Sequence, residues 1–352
     1  MKPRLPSFEQ VGPYLQSMDQ AQIYSNRGPL VRTLESRYAT FLGVDVEQVA
    51  TVSNATQGIM GAIAVSSKKR WVVPDWTFPA TAHAVLNLGC EVVLTDVDSS
   101  TWAISNEWKN YQSLLGVLPV VPYGVPFMIG QYAMDQDFIV DAAASLGCQP
   151  NLSTLRGNGA VVFSLHATKV LGGGEGGIVV FGSHERAQEF RSWTNFGFAG
   201  TRLASRSGTN AKMSESTAAY CLAALYDWDN ERESWLNSRR EVIALSKRFN
   251  LNTWLLSEDV VSPYWLILCD SANERLALSE CLSGNGVETR CWWPSSLHEM
   301  DAFASCDQSA IPPESTSSNL ASRVVGLPFF RNIDKKSIEV IEESLRTYTT
   351  SR

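Results

Sequence analysis

The chain has 352 residues, 44% of them apolar, and a formal net charge of −7. Such a length can bury a large core and is enough for two domains, or one large domain with a smaller one. The acidic balance, with no basic block, excludes a general nucleic-acid or anionic-membrane binder, so any anionic ligand has to be met by a local pocket. Seven scattered cysteines without a CxxC pair and only four histidines give no zinc-ligand spacing. They read as reduced thiols of a cytoplasmic protein, with no metal expected. The opening MKPRLPSFEQ lacks an apolar signal core, and no apolar run reaches the ~18 residues of a membrane span.

In chain order, a poorly patterned arm runs to about Ser25. Leu30, Leu34, Tyr38 and Phe41 then recur at helical spacing, and Gly43 stands where a left-handed cap would end that helix. Val49 to Val52 is a short apolar segment. Ser53, Asn54, Ala55 and Thr56 open a second helix, whose start offers free N–H groups to an anion, although plain N-capping by Ser53 or Asn54 is the competing reading. Strands and helices alternate from there. Trp71–Pro74, Glu91–Asp96, Val117–Val121 and Phe138–Val140 read as strands, and Phe78–Leu88 and Trp108–Leu115 as helices. β-Branched runs alternating with helices predict a mainly parallel α/β sheet covered on both faces. Ligands of such sheets gather at the carboxyl ends of the strands.

Two positions near those ends carry chemistry. Asp141 closes an apolar strand in IVDAAAS, and a buried carboxylate is costly without a partner. It is either a helix cap or structural ion pair, or the group that keeps a pyridine nitrogen protonated. Lys169 lies in AVVFSLHATKVLGGGEGGIVVFG, between strands Ala160–Leu165 and Ile178–Phe181. There a lysine can be positioned and kept partly dry, as condensation with an aldehyde requires. The glycines beside it would let backbone approach a ring or phosphate, and an ordinary glycine-rich turn is the alternative. Together Asp141 and Lys169 suggest pyridoxal phosphate.

The ordered set SNRGPLVRTLESRYATFLGV, SNATQ, VVPDWTFPATAHAVLNLGCEVVLTDVD, VPYG, VDAAAS, FSLHATK, GEGG, NFGF, GTNAKMSE and VETRCWWPSSLHEM, from about Ser25 to Phe330, resembles the DegT/DnrJ/EryC1/StrS family. The resemblance implies a fold-type-I, pyridoxal 5'-phosphate-dependent sugar aminotransferase: a mainly parallel mixed sheet with helices on both faces, plus a smaller α+β domain. It assigns Lys169 to the covalent bond with the cofactor and to proton transfer, and Asp141 to the pyridinium nitrogen. Phe78 would stack on the ring, with plain core as its alternative. Ala55, Thr56 and Ser164 would form the phosphate cup. Asn210 would reach the phosphate of a neighbouring subunit, which makes a homodimer with shared active sites. Arg290, with Trp292, Trp293 and His298, resembles the nucleotide-sugar segment, and a guanidinium suits a diphosphate; a solvated turn with core tryptophans is the other reading. Asn26, Arg27 and His166 stand on the substrate side, while His83 and His184 read as structural. Where many members carry glutamine or histidine near the cofactor's phenolic oxygen, this chain has Ala144. The stretch between Asp141 and Ser164 is also short for the family.

A helix near 213 to 245 places Met213, Thr217, Cys221, Ala224 and Trp228 on one face, for core or interface. Beyond about Arg240, strand-like Ser262–Leu268 and Glu288–Cys291 alternate with helix-like Asn273–Leu282 and Lys335–Tyr348. This divides the chain into a large domain, 1–240, and a small α+β domain, 241–352. The expected activity is transamination of a nucleotide-linked 3- or 4-keto sugar with an amino acid, glutamate, as donor, in amino-sugar or related glycan biosynthesis. The alternatives are a lyase or dehydratase on the same fold, in which the family replaces the lysine by histidine, or a non-catalytic regulatory homologue.

Overall fold

A computed structural model describes residues 3–106, 115–131, 137–254 and 257–350. The helix expected over Trp108–Leu115 falls mostly outside these residues. The arm is the first departure from expectation, because Phe8–Ala21 forms a helix, α1. Its start is a capping box in which Ser7 accepts from Gln10 N–H and the Gln10 side chain returns to Ser7. Only Val11 is fully buried and Pro13 sits inside the helix, so no apolar stripe announced it.

Helix α2 (Pro29–Leu42) ends at Gly43 in the left-handed region, φ 69°. It precedes β1 (Val49–Val52) and α3 (Ala55–Ala64), which is capped by Asn54. Then follow β2 (Arg70–Pro74), α4 (Ala80–Leu86), β3 (Glu91–Thr95), β4 (Gly116–Val117), β5 (Ile139–Asp141), β6 (Ala160–Ser164) and β7 (Gly177–Phe181). The strand expected over Val117–Val121 is cut short after two residues. Pro119 has no N–H to donate, and its carbonyl instead accepts from Asp141 N–H at 2.9 Å. Two further single parallel bridges, Val117 to Phe138 and Val120 to Asp141, tie β4 to β5.

Those bridges join two four-stranded ladders, β1-β7-β6-β5 and β4-β2-β3-β9, where β9 is Asp307–Ala310. All pairs are parallel except those of β7, which runs antiparallel to β1 and β6. Side chains alternate between two cores. Val161, Phe163, Ile178 and Val180 face one that includes α2, and Ala160, Val162, Val179 and Phe181 face another that includes α3 and α4. A sheet buried on both sides explains why these strands read as continuous apolar runs.

Helix α5 (His184–Trp193) covers the second face, and α6 (Glu215–Tyr226) packs against α1 and α2. The expected long helix over 213–245 is two helices, α6 and α7 (Trp228–Arg248). They break at Asp227, whose carboxylate accepts from Asn230 and so competes with helical continuation. Met213, Cys221 and Trp228 of the expected stripe are buried in the core. Farther on lie β8 (Trp265–Leu268), α8 (Ala272–Gly284), α9 (Thr316–Arg323), β10 (Val324–Leu327) and α10 (Lys335–Thr350), with β8 and β10 antiparallel. The strand expected at Glu288–Cys291 is a single bridge, Arg290 to Gly326. No helix among the described residues is long and apolar enough to cross a membrane.

Candidate active site

The parallel strands β2, β3 and β5 each deliver an aspartate at the carboxyl end: Asp75, Asp96 and Asp141. Asp141 is 7% exposed. One of its oxygens accepts from the Thr81 hydroxyl at 2.8 Å and the other from Ala143 N–H at 3.1 Å. Thr81 in turn bonds Thr77 at 3.1 Å. Burial pushes the Asp141 carboxyl above the ordinary range, opposed by those two hydrogen bonds and by the charge of Lys169. No cation stands within ion-pair distance of Asp141 among the described residues.

Lys169 occupies the turn that leaves β6, the neighbour of β5. Its N–H donates to His166 O at 2.8 Å and its carbonyl accepts from Gly172. The side chain is half-buried, and Nζ donates to the Tyr264 hydroxyl at 3.1 Å. The glycines here have reasons other than close approach of a ligand. A Cβ on Gly173 would lie 2.3 Å from Cys221 Sγ on α6. A Cβ on Gly177 would lie 3.0 Å from Ala55 N.

That second contact shows how the anion cup is assembled. Gly177 pairs with Ser164 across the ladder, so Ser164 lies one strand from the start of α3. The Asn54 side chain accepts from Gln57 N–H at 2.9 Å, which leaves the amides of Ala55 and Thr56 pointing out of the helix end. Capping by Asn54 and an anion site are thus compatible. Ser164 is buried and its hydroxyl accepts from His166 N–H at 3.2 Å. His166 Nδ1 accepts from Thr168 N–H, which places the proton of the neutral ring on Nε2, 3.7 Å from Glu175.

Phe78 is 59% exposed at the entry to α4, which removes the plain-core reading. Arg290 is exposed, with its guanidinium 5.1 Å from the Trp292 ring centroid. Trp292 meets the Tyr264 ring edge-on at 5.2 Å, so this segment is one aromatic ring away from Lys169. Trp293 stacks on Tyr123 at 4.0 Å, within a buried group that includes Trp76 and Trp102. Tyr123 has a left-handed backbone, φ 52°, and its buried hydroxyl has no partner among the described residues.

Three further expected residues lie outside the immediate surroundings of Lys169 and Asp141. His298 is engaged by Asp75, which accepts from its N–H at 2.8 Å and pairs with Nδ1 at 2.6 Å. Asn26 is exposed and lines a cleft of about 600 Å³ with Arg27, Arg191 and Lys212, and Lys169 is not among the lining residues. Asn210 is exposed and accepts from Lys212 at 2.7 Å. Sequence reasoning missed Tyr264 and Thr81. Thr81 was within the quoted PAT motif, whereas Tyr264, far along the chain, gave no signal.

The residues present fit a phosphorylated pyridine ring. Asp141 is a buried carboxylate with no ion-pair partner among the described residues, Phe78 offers an exposed aromatic side chain, and the α3 amides stand beside Ser164.

Comparison with known proteins agrees in scale. A model of the DegT/DnrJ/EryC1/StrS aminotransferase family matches residues 9–346. The dTDP-4-amino-4,6-dideoxy-D-glucose transaminase of Shigella dysenteriae is 27% identical over 98% of this chain and 97% of its own. The UDP-N-acetyl-3-dehydro-alpha-D-glucosamine 3-aminotransferase of Acidithiobacillus ferrooxidans is 27% identical over 93% and 90%. DesI, solved in the presence of its TDP-sugar product, superposes with a TM-score of 0.84 at 27% identity, over 99% of this chain and 92% of that one. An aminotransferase of the same family from Brucella abortus shares the fold with a TM-score of 0.82 at 22% identity, over 97% and 95%.

Proposed function

The chain belongs to the DegT/DnrJ/EryC1/StrS aminotransferase family, and from that premise we propose that it aminates a 3- or 4-keto-deoxysugar carried on a nucleoside diphosphate. The cofactor is pyridoxal 5'-phosphate and the amino donor is an amino acid, glutamate. The observation that carries this reading is Asp141: a buried carboxylate beside the lysine turn, held by one hydroxyl and one amide.

When bound, pyridoxal phosphate supplies an aldehyde that carries the amino group and a ring that accepts electrons from the reacting carbon. Asp141 would hold the proton on the ring nitrogen, and its low-dielectric surroundings would strengthen that interaction. Lys169 would hold the cofactor covalently and, when its amine is free, would move a proton at the substrate carbon. Ala55 and Thr56 amides with the Ser164 hydroxyl bind the phosphate, aided by the α3 dipole. Phe78 would cover one ring face. On the substrate side stand Arg290 for the diphosphate, Trp292, His166, Asn26, and Nε2 of His298, the ring nitrogen that Asp75 does not hold.

We extend the reading to a cytoplasmic homodimer in which Asn210 serves the partner's phosphate, supported by the exposure of Asn210, Phe196 and Leu203 on one segment. The product enters amino-sugar or related glycan synthesis. We divide the chain into domains 1–240 and 241–352, a boundary inside α7.

The test is spectral and chemical. Protein loaded with cofactor shows a visible absorbance band that Lys169→Ala loses, and the wild type aminates members of a panel of keto-sugar nucleotides with glutamate. A colourless Lys169→Arg protein with full activity would overturn the assignment.

A further inference from the structure

We propose that Tyr264 is the positioning residue for the Lys169 amine, a neutral hydrogen-bond partner that aims Nζ whenever it is not covalently engaged. The proposal rests on the reading of Lys169 as the reactive amine. Among the described residues the hydrogen bond of Nζ goes to the Tyr264 hydroxyl, 3.1 Å away, and the phenol ring centroid is 5.8 Å from the same nitrogen. No carboxylate of the described residues lies within ion-pair distance of Nζ. The difference matters chemically. A carboxylate would favour the charged ammonium and oppose its loss of a proton, whereas a phenol orients the nitrogen without adding charge.

The phenol is itself held in place. Tyr123 meets its ring edge-on at 5.2 Å, Trp292 does so at 5.2 Å from another side, and Arg239 donates to the Tyr264 carbonyl at 2.8 Å. Such edge contacts fix a ring in one orientation. Tyr264 immediately precedes β8, so its hydroxyl carries the C-terminal part of the chain to Lys169 Nζ. The same ring touches Trp292 beside Arg290, which joins the substrate-side segment to the amine through two aromatic side chains.

The experiment is competitive acetylation of the full chain stripped of cofactor, with modified peptides quantified by mass spectrometry and exposed Lys335 as internal reference. Tyr264→Phe keeps the ring and removes the partner, so Lys169 should acetylate at least about threefold faster as the freed side chain samples more solvent-facing rotamers. Tyr123→Phe removes the neighbouring hydroxyl, which has no partner among the described residues, and should leave the Lys169 rate unchanged. An unchanged rate in Tyr264→Phe, or an equal rise in Tyr123→Phe, overturns the proposal. A reciprocal measurement needs no change at Tyr264: its nitration by tetranitromethane should quicken in Lys169→Met, and an unaltered rate contradicts the proposal. The transaminase reading is tested separately by amination activity in Lys169→Ala, and the labelling results stand whichever way that falls.

Discussion

Asp75, Asp96 and Asp141 occupy equivalent places at the ends of parallel strands, yet their surroundings differ. Asp96 accepts from Thr316 N–H and from both Ser317 N–H and hydroxyl, and so caps α9. Asp75 accepts from His298 at two atoms. Both are satisfied by the C-terminal part of the chain, and they fasten that part to the sheet. Among the described residues Asp141 receives only a threonine hydroxyl and a neighbouring amide. A carboxylate at a strand end is therefore not in itself the mark of a site. What distinguishes Asp141 among the described residues is the source of its donors: neither Thr81 nor Ala143 belongs to the C-terminal part, and no ion pair reaches the carboxylate, so a cationic ligand can complete its surroundings.

The sharpest way to break this contrast is substitution at all three positions. Asp141→Asn should lower turnover by roughly 100-fold or more, with folded stability little changed, as steady-state kinetics and urea unfolding would show. Equal transamination rates would put Asp141 with the other two. Asp75→Ala should do the reverse. Loss of a buried acceptor of two hydrogen bonds costs about 1–3 kcal/mol of stability by urea midpoint, with a smaller effect on turnover. Asp96→Ala removes a helix cap and should cost about 1 kcal/mol, with turnover nearly unchanged.

A pH series sharpens the comparison further. Burial raises the folded-state affinity of Asp141 for a proton. In cofactor-free protein its stabilising contribution is thus fully present below the unfolded carboxylate value of about 3.9 and is lost as pH rises through the raised folded value. Relative to wild type, cofactor-free Asp141→Asn should gain stability as pH rises through that window. A difference that does not vary with pH would show that the carboxylate is already neutralised by the protein.

Much of this arrangement was legible in the sequence, for physical reasons that also explain the gaps. The β5, β6 and β7 strands are buried on both faces, so their apolar runs gave both their positions and the turn that carries Lys169. Helix α1 was missed because its signal is a capping box, Ser7 with Gln10, with a single buried side chain behind it. The break at Asp227 was overlooked because α6 and α7 both continue an apolar pattern across it. Lys169 and Asp141 could be picked out by residue type and strand position. Their partners could not. Thr81 and Tyr264 act through hydroxyl contacts that depend on tertiary placement, as does the hold of Asp75 on one ring nitrogen of His298.

The most direct test of the ring-facing role of Asp141 is nitrogen NMR of bound pyridoxal phosphate labelled at the ring nitrogen. The arrangement predicts a protonated ring nitrogen in wild-type protein and a shift toward the neutral pyridine position in Asp141→Asn. A neutral nitrogen in the wild type, or a protonated one that the substitution leaves unmoved, would contradict it.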